Sequence, residues 1–523
     1  MKKIKTTLIM NRKHTIMFFN LLFFICLNTF FAEGKNVPIK LKSPEGTATD
    51  SSIILIWNEP EEYKYVTSYE VFKNGKYIGD SKITNYTVNQ LKSDTKYSFT
   101  IKSKKSDGNL SESSKKISVT TKKHGKNYNI VDYGAKGDGA TLNTVFIQKA
   151  IDDCSPGGTV IIPSGTYLSG ALFLKSDMTL YIKDGGILKG SSNIADYYPI
   201  IPTRFEGWKV ESFSSLLTAG ALDTSGKIGL RNLAIRGKGK ISGGDAKLGN
   251  AMTIAKGLRS RGRLICLMNC MNVDIQGLLV EQSPCWTIHY TFCKNVSIHD
   301  LKINSTASNG DGIDPDSSIN SFIFNCSFST GDDCIAIKSG KNPEGNIVGI
   351  ATDNVWITNC NFIKGHSLAI GSEMSGGVKN VFIRDCKIGN LKYGLQIKGS
   401  KERGGFVENI VVKDCDLQQI KIVSSINYNN DGAPAPDLPI YRNMKFSYLN
   451  MEKANVEKPI IVLEGFDDPE HYTKNIVLKN ITVPENARIS LKNCDNISFE
   501  NVTQFKSDQK PKYSVTSSTN IKY

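Results

Sequence analysis

Four short polar runs concentrate the chemistry between positions 309 and 398. They are Asn309-Gly310-Asp311-Gly312-Ile313-Asp314, Gly331-Asp332-Asp333-Cys334, Gly365-His366-Ser367 and Gln396-Ile397-Lys398. Carboxylates held close together shift one another's pKa, so that one keeps its proton while another stays ionised. An acid for a leaving oxygen and a base for a water is the pairing that glycosidic cleavage requires. Taken singly the runs are ordinary. Asp-Gly pairs build turns, Asp332-Asp333 alone would suit a calcium ion, and a lone His366 reads as a surface histidine. Their order is less ordinary, because the gaps from Asp311 to Asp332, His366 and Lys398 roughly match a repeat in the same stretch.

That repeat is Asn-apolar-x-apolar, at Asn272, Asn295, Asn320, Asn354, Asn380, Asn409, Asn443, Asn475 and Asn496, at intervals of 21 to 34 residues. Units such as Asn-Val-Ser-Ile and Asn-Val-Phe-Ile are strand formers, and the Leu-x-x-Leu-x-Leu frame of leucine-rich repeats is absent. A period of this size in short β units implies a solenoid in which each coil buries its apolar face on its neighbours. A right-handed parallel β-helix over residues 128–523 fits best. Residues one coil apart then stack about 4.8 Å apart, so the four polar runs form a strip along a groove. The repeated Asn residues are assigned to an axial ladder.

A solenoid needs a cover on its open end. Asn143 to Cys154 puts Phe146, Ile147, Ala150 and Ile151 on one helical face, with Asn143 as N-cap. Before the solenoid, residues 37–121 hold alternating segments separated by turn pairs such as Asn74-Gly75 and Asp107-Gly108, the pattern of a β-sandwich. Residues 122–127, basic and polar, read as the linker.

Residues 1–32 carry five basic residues ahead of an apolar stretch from Thr15 to Phe31, which reads as a secretory signal peptide. The expected location is therefore secreted or periplasmic, with no membrane attachment after cleavage. Removal of this segment takes five of the positive charges behind the formal +15 of the 523-residue chain. A basic chain points to acidic partners. No nucleic-acid motif or aromatic-interleaved basic stripe is present, so an acidic polymer is expected, not nucleic acid. Hydrophobic residues at 40% and charged residues at 22% exclude wholesale disorder. Of twelve cysteines, Cys26 leaves with the leader. Most of the others sit singly after Asn or Asp (Cys270, Cys326, Cys360, Cys386, Cys415, Cys494), which reads as buried free thiols in a repeat, not a metal cluster or disulfide framework.

In order, the four runs resemble the motif set of glycoside hydrolase family 28 polygalacturonases: Asn-x-Asp, Asp-Asp, Gly-His-Gly and Arg-Ile-Lys. Val131-Asp132-Tyr133-Gly134-Ala135-Lys136-Gly137-Asp138-Gly139 and Ser283-Pro284-Cys285-Trp286-Thr287-Ile288-His289 extend the likeness over residues 128–500. The sandwich, with Trp57 and the Leu91 to Tyr97 spacing, resembles a fibronectin type III domain. The resemblance implies inverting hydrolysis of α-1,4-galacturonosidic bonds in pectate, without metal or cofactor, by a monomer. Asp332 would protonate the glycosidic oxygen, and Asp311 and Asp333 would activate water. Asp314 would support the water-activating side, and His366 would tune the acid. Lys398, with Gln396, Asn309 and Arg403, would bind substrate, Lys398 holding a galacturonate carboxylate.

Two positions depart from that pattern. Ser367 replaces the second Gly of Gly-His-Gly. Gln396 replaces the Arg, exchanging two charge-assisted hydrogen bonds for a neutral contact. Lys401 or Arg403 would have to substitute, or the sugar there differs, as in rhamnogalacturonan or xylogalacturonan. The sandwich, Tyr198-Pro199-Ile200-Ile201-Pro202 and Gly371-Ser372-Glu373-Met374-Ser375-Gly376-Gly377 resemble bacterial exo-acting members, in which extra loops block one end of the groove. The loop at 425–440 is expected to add a wall. A pectate lyase would want a calcium cluster and an arginine base, and a silent pectin-binding protein would tolerate losing Asp311, Asp332 or Asp333, all of which are intact.

Overall fold

The computed structural model describes residues 36–425 and 432–523, so the leader at 1–32 and the centre of the loop at 425–440 lie outside the described residues. The chain forms two compact units. The smaller is a β-sandwich. Strands Ile39–Lys42, Ile53–Asn58 and Asn85–Val88 make one sheet; Lys76–Ser81, Val66–Lys73, Lys96–Lys105 and Ile117–Thr120 make the other. Alternation decides its faces: along Lys96–Lys105, Tyr97, Phe99 and Ile101 are buried and their neighbours are not. Asn74 and Gly75, both at positive φ, join Lys73 to Lys76 in a tight hairpin. Trp57 is buried edge-on to Tyr69, ring centroids 5.4 Å apart.

The larger unit is the expected parallel β-helix, with sheets of 14, 8 and 12 strands. Its core is made of side chains repeated in register. Ile275, Ile298, Ile323, Ile357 and Ile383 stack on successive coils of the longest sheet, all fully buried. The Asn ladder forms as expected. Asn295 Nδ2 donates to Asn272 Oδ1, Asn320 to Asn295 and Asn354 to Asn320, at 2.7–2.9 Å. Each ladder residue sits at φ +53 to +60°, the left-handed region that Asn tolerates better than other residues with a Cβ. Asn380 steps aside to Asp353, after which Asn409, Asn443, Asn475 and Asn496 resume the ladder. All eleven cysteines of the described residues are buried free thiols.

The helix at the open end spans Thr144–Asp153 and buries Ile147, Ala150 and Ile151, with Phe146 packed against the same core. Asn143 stands at the N-cap, its backbone carbonyl accepting from Ile147 N, but its side chain makes no capping bond. Its amide accepts from Lys136 N and donates to the carbonyls of Lys136 and Thr141, pinning the entry loop instead. The Tyr198–Pro202 region opens an antiparallel hairpin, Ile200–Phe205 with Trp208–Phe213, inserted between coils.

Candidate active site

The 12-stranded sheet positions the site. Strands Ile313–Asp316, Ile335–Ile337, Leu368–Ile370, Leu395–Lys398 and Ile420–Val423 lie side by side in that order. Alternation turns Ile335, Ile337, Leu368, Ile370, Leu395 and Ile397 into the core. The residues between them face outward. One outward row runs Ala336, Ala369, Gln396, Lys421, and the next runs Asp316, Lys338, Gly371, Lys398. The catalytic candidates stand in the turns that lead into these strands. Gly312 N donates to Asp333 O, placing Asp311 and Asp333 on neighbouring coils, and His366 N donates to Asp332 O one coil further.

Asp311, Asp332, Asp333, His366, Asn309, Gln396 and Lys398 all line one cleft of about 470 Å³. Their exposures differ in a way that separates roles. The side chain of Asp332 is 26% exposed and that of His366 41%, with Nδ1 2.9 Å from Asp332 Oδ1. Asp311 and Asp333 are only 5% and 4% exposed. Asp333 accepts a hydrogen bond from Ser367 Oγ on one oxygen and from Lys398 Nζ, at 2.9 Å, on the other. Both oxygens of the carboxylate are thereby fixed in orientation.

Lys338 is the charge at the bottom of the cleft, and sequence reasoning missed it. Its ammonium lies 3.2 Å from Glu373 Oε2, 3.5 Å from Asp314 Oδ1 and 3.6 Å from Asp311 Oδ2, and 4.6 Å from the centre of the Trp286 ring. Burial, reinforced by the neighbouring Asp314 charge, pushes the Asp311 carboxyl well above its ordinary value despite Lys338. Burial likewise raises Asp314, to about 7. Burial would raise Glu373 too, but Lys338, Arg403 and Lys398 together outweigh it and bring Glu373 down to about 2. Glu373 also accepts from Ser372 Oγ at 2.9 Å. Both residues had a trace in the sequence: Glu373 in the quoted Gly371–Gly377 segment, Lys338 as the charged outward position after Ile335-Ala336-Ile337.

Arg403 stands away from the cleft, and Lys398 carries a contact beyond the one expected of it. Arg403 is fully buried behind the cleft wall, its guanidinium donating to Ser372 O and Asn342 Oδ1, because the turn after Lys398 folds it under that wall. Lys401 is exposed, and neither residue lines the cleft. Lys398 lines the cleft as expected, and its ammonium also bonds Asp333 Oδ2 at 2.9 Å, one of its three donors being used there. Asn309 lines the cleft while accepting from Arg261 Nη2 at 3.0 Å. Asp314 is completely buried beside Lys338. The remaining unforeseen lining residues are Glu206 of the hairpin, Trp286, Tyr393 and Lys421. One ligand atom each from Asp332, Asp333 and His366 lie within 4.8 Å of one another. The Lys398 ammonium, already on Asp333, opposes a cation there.

Residues 211–438 match the family described as glycosyl hydrolases family 28, residues 42–120 the fibronectin type III domain, and residues 127–196 a rhamnogalacturonase A/epimerase, pectate lyase-like family. The chain is 28% identical to an exo-poly-alpha-D-galacturonosidase of Dickeya chrysanthemi, over 90% of this chain and 91% of that one. It is similar in structure to a family 28 exopolygalacturonase of Yersinia enterocolitica, with TM-score 0.84 and 27% identity over 93% of this chain and 99% of the other. A hyperthermoactive exopolygalacturonase of Thermotoga maritima matches with TM-score 0.64 and 28% identity, over 73% and 92% of the two chains.

Proposed function

Since the chain carries a family 28 glycosyl hydrolase domain behind a fibronectin type III domain, and so is a glycoside hydrolase, we propose that it cleaves α-1,4-galacturonosidic bonds of polygalacturonate from one chain end, with inversion. The observation that carries this reading is the placing of Asp311, Asp332 and Asp333 on neighbouring coils of one cleft, with Asp332 the most exposed. Asp332 gives its proton to the glycosidic oxygen as the bond to C1 breaks. Water attacks C1 from the opposite face and passes its proton to Asp333 or Asp311. Asp333 suits the water-activating role by position, since Ser367 and Lys398 hold its two oxygens fixed in the cleft. His366 Nδ1 stands within hydrogen-bond distance of Asp332 Oδ1. End-cutting draws support from the exo-acting relatives and from the hairpin that brings Glu206 to the cleft. Export draws support from the basic and apolar leader.

Incubation with polygalacturonate is expected to release reducing ends without unsaturated products. Short products should appear from the outset, and proton NMR should show the β-anomer of the new reducing end first. A ladder of intermediate lengths at early times would refute end-cutting, and the α-anomer first would refute inversion. Gln396 favours a second reading, in which a neutral or substituted sugar, as in rhamnogalacturonan or xylogalacturonan, occupies the neighbouring position. Faster release from those polymers than from polygalacturonate would establish it.

A further inference from the structure

Gln396 leaves the cleft without the guanidinium that the family pattern places there, and Lys398 spends one of its donors on Asp333. Yet a polyanion threaded along this groove needs a cation for each bound carboxylate, or it leaves a desolvated charge unpaired. The coil that follows supplies one. Lys421 pairs in register with Gln396 on the next strand, in the same outward row, and lines the same cleft. Its ammonium faces the Tyr393 ring at 6.0 Å, and among the described residues it has no acidic partner. Tyr393 stands in register with His366, since Tyr393 N donates to His366 O, and it also lines the cleft. Aromatic face and ammonium therefore sit together beyond the catalytic carboxylates.

We infer that Lys421 anchors a uronic acid carboxylate of the substrate, with the Gln396 amide as a neutral second donor, so that the anionic clamp is displaced by one coil. From Ala336 to Lys421 in the same row are three coil steps, roughly 14 Å at the usual strand spacing. Lys421 thus stands three coils on from the strand that Asp333 leads into, past the scissile bond toward the C-terminal coils, and acts on binding more than on chemistry. Charge is what it reads. A neutral or esterified sugar at that position gains nothing from it.

This inference rests on the galacturonan-cleaving reading, and the test separates the two. Steady-state kinetics on polygalacturonate would compare the parent chain with Lys421→Gln, Lys421→Arg, Gln396→Arg and the Lys421→Gln/Gln396→Arg double variant. Lys421→Gln is expected to raise KM about fivefold with kcat little changed, as for a part-exposed ion pair. Lys421→Arg should stay near the parent. Gln396→Arg should rescue Lys421→Gln, because it returns a cation one coil away. On carboxyl-reduced oligomers the Lys421→Gln effect should vanish. An unchanged KM in Lys421→Gln, or an equal effect on the carboxyl-reduced oligomers, overturns the anchor while leaving the galacturonan reading intact. A parent chain that does not cleave polygalacturonate takes down both.

Discussion

Lys338 Nζ lies 3.2 Å from Glu373 Oε2, with Asp311 and Asp314 at 3.6 and 3.5 Å, and none of these four side chains is more than 7% exposed. One buried ammonium therefore holds three buried carboxylates, one of them the candidate water activator. Removing one partner of a buried ion pair leaves uncompensated charge, at a cost of about 3–5 kcal/mol. Lys338→Met is expected to lower the melting temperature far more than Lys149→Met, whose surface pair with Asp153 is largely exposed. It should also abolish hydrolysis. Thermal melts of both variants check this, and equal midpoints would remove Lys338 from its supporting role.

The same cluster gives stability two opposing slopes in pH. Asp314 is raised from 3.8 to about 7. Between those values the folded chain holds a proton that the unfolded chain has released, so stability falls as pH rises through that window. Glu373 is lowered from 4.5 to about 2. Its contribution is present above 4.5 and lost as pH falls toward 2, because there the unfolded chain binds the proton more readily. Asp314→Asn should flatten the fall in melting temperature between pH 4 and 7, and Glu373→Gln should flatten the rise between pH 2 and 4.5. Melting profiles that superimpose on the parent's would contradict both assignments.

Lys398 touches Asp333, and this changes what its removal should do. A side chain that only gripped a substrate carboxylate would raise KM when lost. One that aligns the base lowers kcat. Lys398→Met is expected to reduce kcat about a hundredfold with a smaller change in KM. Ser367→Gly removes the second donor on Asp333 and should cost less, about tenfold, since Lys398 still orients the carboxylate. Initial rates over a range of substrate concentrations distinguish the two behaviours, and a pure KM effect in Lys398→Met would restore the substrate-binding role.

Much of this molecule was legible in its sequence because the physics repeats with the coil. An Asn that must adopt left-handed backbone and bond its counterpart recurs once per turn, so the period could be read directly, and the polar runs stood out against it. What stayed hidden depends on which residues the coils stack together. Lys338 and Glu373 are 35 positions apart, and nothing local links an outward lysine after Ile337 to a glutamate in a glycine-rich turn. Arg403 is near Gln396 in sequence, yet the turn carries its guanidinium to Ser372 and Asn342. Asn143 takes the N-cap position its type suits, but the entry loop at Lys136 and Thr141 takes its side-chain hydrogen bonds.

The ladder itself makes a graded prediction. Asn320, at φ +60°, donates to Asn295 at 2.8 Å and accepts from Asn354 at 2.7 Å. Asn320→Ala loses both bonds and forces a Cβ residue without side-chain compensation into the left-handed region, about 1–2 kcal/mol for the backbone alone and about 1 kcal/mol per bond. Asn320→Gly loses the bonds but accepts the backbone freely, so it should cost less than Asn320→Ala. Asn443 donates to Asn409 across 3.5 Å in an exposed part of the ladder, a bond near the limit of useful geometry. Because Asn443 also accepts from Asn475 at 3.0 Å, Asn443→Ala loses one good bond where Asn320→Ala loses two, and should destabilise less. Urea unfolding of the three variants orders these contributions. If Asn320→Gly proved as costly as Asn320→Ala, hydrogen bonding alone, and not the left-handed turn, would account for the recurrence of Asn.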